Sequence, residues 1–297
     1  IEIKESGKLT QGTIKFMATV GEEMEQSGSQ QLFEKGYADD LDALLIAEPS
    51  FPSLVYAHKG SMDFRIKSKG RASHSSLPFL GQNAIKPLLE FIQNINQEYE
   101  KITQSVKGES LDFSNMINNL GSQLPNHITK EKAQELIQGL VMTNSIVQGG
   151  TQVNSVPDFA TAEFNVRTIP EYNNNKVKAL FNEYIEQANQ NGASLTQELY
   201  LDLEPVVTTG QNRLVELGFD IAKSHFSNER DLIVTPTVAV TDASNLLKGK
   251  DENFPFLMFG PGNGPHQINE CVEKANYLEF VEYYIEFITS YLNEENE

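Results

Sequence analysis

The sequence predicts an α/β protein interrupted by a smaller α+β unit. Two observations carry this reading. Four short, nearly continuous apolar runs, 13–20, 42–47, 234–240 and 254–259, alternate with helical patterns, as strands of a mostly parallel sheet buried on both faces do. Between the second and third runs the pattern changes to half-wet strands and long amphipathic helices in the order β-α-β-β-α-β, the ferredoxin-like order. The interruption covers roughly residues 59–206, leaving 1–58 and 207–297 as the α/β part.

Each element has its own justification. The N-terminal stretch "IEIKESGKLTQG" reads as a helix end running into a turn. "TIKFMATV" and "DALLIA" are too short for buried helices and lack strict alternation, which favours strands, and "SQQLFEKGY" reads as a helix. In "GSMDFRIKSKGRA" Met62, Phe64 and Ile66 alternate with Asp63, Arg65 and Lys67, a strand with one buried and one wet face. A helix over 83–102 follows, then a polar stretch, 103–135, without a clear period. Strands over 140–150 and 159–168, a helix over 175–192 and a strand over 194–204 complete the inner unit. The chain resumes with a helix over 213–226, the apolar runs at 234 and 254, and a helix over 276–292. There Leu278, Val281, Ile285, Ile288 and Leu292 suggest the buried stripe.

Composition narrows the functions. With 41 acidic and 23 basic residues the net charge is −18, which repels phosphate backbones and anionic lipids, so neither nucleic acid nor membrane is an expected partner. No apolar run is long enough to span a bilayer. The lone Cys271 allows no intrachain disulfide, and no secretory signal is evident; both suit a reducing, cytoplasmic setting.

In parallel α/β sheets ligands bind beyond the carboxyl ends of the strands. Past the first run stand Glu22 and Glu23, past the second Glu48, past the third Thr241 and Asp242, and past the fourth His266 and Glu270. Carboxylates and imidazole at strand ends suit hydrolytic metal sites of Zn, Mn or Co. Each alone has a plainer explanation, an adjacent Glu pair being ordinarily a solvated turn. His74 reads by itself as a surface histidine; His58, His127 and His225 have no constellation around them; Cys271 reads as packing.

Taken together, five ordered segments resemble the dinuclear metallo-hydrolase family of succinyl-diaminopimelate desuccinylase, acetylornithine deacetylase, aminoacylase, carboxypeptidase G and peptidase T. They are "TVGEE", "IAEPS", "KGRASHSSLPFLGQNAI", "GGTQVNSVPDFATAEFNVRTIP" and "FGPGNGPHQINECV". The resemblance implies a zinc-peptidase-like catalytic part, a ferredoxin-like lid that forms a homodimer, and two divalent ions (Zn, possibly Co or Mn). It makes Glu22 the general base, Glu23 and His266 ligands of one ion, and Glu48 a ligand of the other. His74 would stabilise the oxyanion from the lid of a partner subunit, and Asn154 and Arg167 would hold the substrate's carboxylate. The implied reaction removes an acyl group from an N-acyl amino acid, N-succinyl-diaminopimelate first, or cleaves a small peptide.

The family also places a metal-binding histidine and a bridging aspartate ahead of the Glu-Glu pair, and the 21 residues before Glu22 hold neither. These 297 residues are therefore expected to bind metal weakly or not at all, to be inactive alone, and to leave apolar surface and strand edges exposed. A di- or tripeptidase and a non-catalytic dimerisation or binding module are the competing readings. A glycosidase is the poorest, because adjacent carboxylates rarely face each other across a sugar.

Overall fold

The computed structural model describes residues 1–121, 124–226, 231–262 and 268–293. A short helix, α1 (Glu2–Ser6), ends at Gly7 in the left-handed conformation, the turn that the N-terminal stretch suggested. Helix α2 (Ser27–Glu34) and strands β1 (Leu44–Ile46) and β2 (Ser53–His58) lead to β3 (Ser61–Lys69), the two-residue β4 (Ser73–His74) and helices α3 (Ile85–Ser105), α4 (Ser114–Leu120) and α5 (Lys130–Gln138). Then come β5 (Val141–Gly149), β6 (Ser155–Val156), β7 (Phe159–Arg167), α6 (Asn174–Gln190) and β8 (Leu195–Leu203). Helix α7 (Arg213–Phe226), β9 (Ile233–Thr237), α8 (Ala243–Leu246), β10 (Phe256–Met258) and α9 (Lys274–Asn293) close the chain.

The inner strands form an antiparallel sheet in the order β5-β7-β3-β8, with α3 and α6 on one face. Here the predicted order and faces hold. Met62, Phe64 and Ile66 point inward with Ala162, Phe164 and Val166 and meet Leu88, Phe91 and Ile95 of α3 and Val177, Phe181 and Ile185 of α6. Phe181 stacks on Phe64 at 4.3 Å between ring centres and takes the edge of Phe164 at 5.3 Å. On the wet face Arg65 pairs with Glu163 at 2.9 Å and Lys67 with Glu198 at 2.7 Å.

The outer sheet runs β1-β10-β2-β9, with β1 parallel to β10, β2 parallel to β9, and one antiparallel contact, Met258 against Val55, joining the pairs. Both faces are covered. Leu257 and Phe259 point toward α7 and α9, while Phe256 and Met258 join Leu44, Val55 and Leu246 opposite. Pro236 is tolerated because β9 is an edge strand.

Two expectations for this layer need correction. The run at 13–20 forms no strand; Met17 packs beneath β1, but Phe16 is 91% exposed and Val20 75%, so its apolar pattern has cover on one side only. Its place in the sheet is taken by β2, hidden behind the "EPSFP" turn. In α9 the predicted stripe is buried only in part: Ile285 is buried, but Leu278 is 63% exposed and Val281 is exposed, and the face is completed by Phe280, Tyr283 and Phe287, whose larger rings remove more apolar area from water.

The unassigned stretch 103–135 folds as α4 and α5. Its Leu111 and Phe113 bury against Ala57 of β2, and Asn115 Nδ2 donates to the Val234 carbonyl at 2.9 Å, so it buttresses the outer sheet. The chain passes between sheets at two adjacent places. His58 pairs with Val206, and Gly60 exchanges both backbone hydrogen bonds with Thr168 at 3.0 and 3.1 Å. A Cβ on Gly60 would lie 2.1 Å from Thr168 Oγ1, so only glycine fits the crossing.

Candidate functional site

Glu48 emerges two residues past β1, half-buried. Burial first, then the negative charges of Glu22, Asp242 and Glu23, push its pKa up to about 8. Four carboxylates thus converge beyond the end of β1: Glu22 and Glu23 on the turn after Val20, Glu48 two residues past β1, and Asp242 ahead of α8. Asp242, 8% exposed, accepts a hydrogen bond from Thr19 Oγ1 on Oδ2, while its buried Oδ1 has no partner among the described residues.

The Glu22–Glu23 turn is held from below by Gln26. Its backbone N–H donates to the Gly21 carbonyl at 2.8 Å, and its side-chain Nε2 donates to Glu22 Oε1 at 3.1 Å. Behind Asp242, Thr241 Oγ1 lies 3.2 Å from His58 Nε2. His58 Nδ1 lies 2.8 Å from the Lys59 carbonyl, which can only accept, so Nδ1 carries the proton and Nε2 accepts from Thr241. Burial holds the His58 pKa down near 4, so the ring is neutral and structural.

The other expected residues fall in two places. His74 on β4 and Asn154 beside β6 share a small exposed ribbon, where the Ser75 N–H donates to the Asn154 carbonyl at 2.9 Å and His74 Nδ1 lies 2.7 Å from Ser76 Oγ. Arg167 ends β7 near Lys59, which is fully buried, donates to the Gly139 carbonyl at 2.6 Å, and has its pKa pulled down to about 8 by burial and by Arg167. Asn154 stands one residue before β6, whereas Arg167 is the last residue of β7, whose nine residues span roughly 25 Å at ~3.3 Å per residue. His266 lies outside the described residues.

The donor set is of the kind a divalent cation wants: hard carboxylate oxygens, one of them, Asp242 Oδ1, buried without a partner among the described residues. Among the described residues, no three of the His, Cys, Asp and Glu side chains come close enough to hold an ion by themselves. Asp242 was visible in the sequence as a strand-end carboxylate without a role. Gln26 carried no signal, being a polar residue in a polar turn, and Thr19 none of its own within an apolar run.

Residues 56–193 match the family model described as a peptidase dimerisation domain. The chain is 40% identical over 296 residues to a probable succinyl-diaminopimelate desuccinylase of Staphylococcus aureus (strain MRSA252), covering 99% of this chain and 71% of that protein. Among solved structures, an M20 family metallo-carboxypeptidase from Sulfolobus solfataricus superposes with a TM-score of 0.69 at 20% identity, over 91% of this chain and 68% of the other. A tripeptidase from Staphylococcus aureus gives 0.66 at 20% identity, over 98% and 67%.

Proposed function

We propose, for a chain that belongs to the M20 family of metallo-hydrolases, that this protein hydrolyses the acyl amide bond of an N-acyl amino acid, with N-succinyl-diaminopimelate the first substrate to test. The observation that carries the reading is the convergence of Glu22, Glu23 and Glu48 beside Asp242 at the end of β1. Residues 1–58 and 207–297 would form the catalytic domain and 59–206 a lid that dimerises.

Glu22 accepts a proton from the attacking water and returns it to the leaving amine nitrogen. Glu23 and His266 would hold one divalent ion and Glu48 a second, zinc first, with cobalt or manganese as substitutes. Such ions, when bound, supply Lewis acidity to the amide carbonyl and acidify water. These three donors are fewer than two ions require, so by themselves they would hold metal weakly. His74 donates to the oxyanion from the lid of a second copy. Asn154 and Arg167 hold the substrate's carboxylate, for which the planar guanidinium fork of arginine is suited. The exposed, unpaired Cys271 is in keeping with a cytoplasmic protein. Among the described residues no helix is long and apolar enough to cross a membrane.

The test is hydrolysis of N-succinyl-diaminopimelate beside simple dipeptides by the zinc-loaded whole protein, with elemental analysis of the same samples. Preferred cleavage of the succinyl substrate supports the reading, and preferred cleavage of dipeptides moves the substrate to peptides. Glu22→Gln is expected to lower kcat by roughly 10²–10⁴-fold with metal content unchanged. A metal-loaded protein that cleaves neither class would favour the binding-module reading.

A further inference from the structure

Gln26 is an anomaly on the turn that carries Glu22. Glu23, Met24, Glu25 and Ser27 are exposed around it, yet Gln26 is 1% exposed. Its backbone sits at φ 52°, ψ 36°, the left-handed region; among the described residues Asn269 is the one other non-glycine residue with positive φ. Glycine would occupy that conformation without strain, and asparagine does so more readily than glutamine. A strained backbone persists where the surroundings over-determine it, and such residues gather at functional sites.

The surroundings here are specific. The Gln26 carbonyl accepts from Ser29 Oγ at 3.0 Å, its N–H closes the turn onto Gly21, and its side chain turns inward. There Nε2 donates to Glu22 Oε1 at 3.1 Å, while the buried Oε1 of Gln26 has no partner among the described residues. The amide is not placed to satisfy itself. The bond it makes is to the carboxylate that has to move a proton.

We propose that Gln26 is a positioning residue: its left-handed, buried backbone aims the side-chain amide so that Nε2–H fixes the Glu22 carboxylate in the orientation proton transfer needs. This rests on the reading of Glu22 as the general base. A base must lie within hydrogen-bond reach of the proton it takes, and a displacement of about 1 Å can cost about 10²-fold in rate.

The deciding variant is Gln26→Gly in the whole, metal-loaded protein, because glycine keeps the turn and removes the amide. The expected result is kcat lower by about 10–100-fold, KM nearly unchanged, metal content unchanged and thermal midpoint no lower than wild type. Gln26→Asn, one methylene too short to reach Glu22, should behave alike. In a Glu22→Gln background the Gln26→Gly change should add little, since the group it acts through is gone. Crystal structures of wild type and Gln26→Gly give a readout independent of turnover: one Glu22 orientation in the first, a displaced or divided one in the second. Wild-type kcat together with an unmoved Glu22 in Gln26→Gly would overturn the proposal. If the wild-type protein cleaves no N-acyl amino acid, the substrate reading fails, and the two Glu22 orientations still decide the role of Gln26.

Discussion

Replacing Gly28 by alanine separates what helix propensity asks from what the site requires. Gly28 is the second residue of α2, where alanine is favoured over glycine by about 1 kcal/mol. In the fold, however, an added Cβ would stand 2.5 Å from the Val20 nitrogen and 2.6 Å from the Val20 oxygen, with Thr19 Cβ at 3.2 Å. Normal contacts are ~3.5–4 Å, so about 1 Å has to open against backbone atoms. Overpacking of that kind costs ~1–3 kcal/mol, leaving a net loss of about 0–2 kcal/mol. The strain has an outlet. Helix α2 is pinned by buried Ser29, which accepts from Asn245 Nδ2 at 3.0 Å, whereas residues 13–20 sit in no sheet. Val20 should therefore yield, carrying Glu22 and Glu23 with it and breaking the hydrogen bond from Thr19 to Asp242. Differential scanning calorimetry should show a thermal midpoint lower by at most a few degrees, while kcat falls by ~10-fold or more. A Gly28→Ala protein with a raised midpoint and full kcat would refute the reasoning, since propensity would then have outweighed the backbone contact.

Two further outcomes are expected from the packing. His225 joins α7 to α9 with Nδ1 2.5 Å from Glu279 and Nε2 2.9 Å from Glu286, so the protonated ring can donate from both nitrogens. Burial pulls its pKa down, but the hydrogen bonds to Glu286 and Glu279 and their charges outweigh it, and the pKa is raised overall. Its contribution, about 1 kcal/mol or less because both carboxylates are largely exposed, is complete below the unfolded value of ~6.5 and fades as pH rises through the folded value. Urea midpoints of wild type and His225→Gln should differ in mild acid and converge in mild base; a constant gap would contradict this. Phe181→Ala, at the centre of the inner core, should cost ~3–5 kcal/mol in denaturant titrations, and a loss below ~1 kcal/mol would mean that the stack on Phe64 is not the packing centre.

What could be read from the chain followed the physics of each element. Strands β3 and β7 were legible because one face is wet, so the alternation of Phe64 and Phe164 with Arg65 and Glu163 is written into adjacent residues. The run at 13–20 misled because apolar residues on both sides imply two covered faces, and cover is a tertiary fact. Two pairs at the site differ in how far the sequence shows them. Glu22 and Glu23 stand in a local motif, whereas Thr19 and Asp242 are 223 residues apart and meet only in the fold. Gln26 was illegible for a third reason: its burial and its left-handed backbone leave no mark on a polar turn.

The double crossing between the two sheets has a consequence for how such a protein could have been assembled. Ser61 at the start of β3 and Leu203 at the end of β8 are ladder partners, so everything between them leaves from and returns to one point. To the outer layer, that whole segment is a loop with its ends already touching. The entropy of closing a loop grows only as the logarithm of its length, about 0.6 kcal/mol for each doubling. By that measure a module of this size costs its host about 3 kcal/mol more than a hairpin loop of about four residues, a modest sum for so long an insertion. The host could therefore lose, gain or exchange that module by recombination without rebuilding the layer that carries the carboxylates.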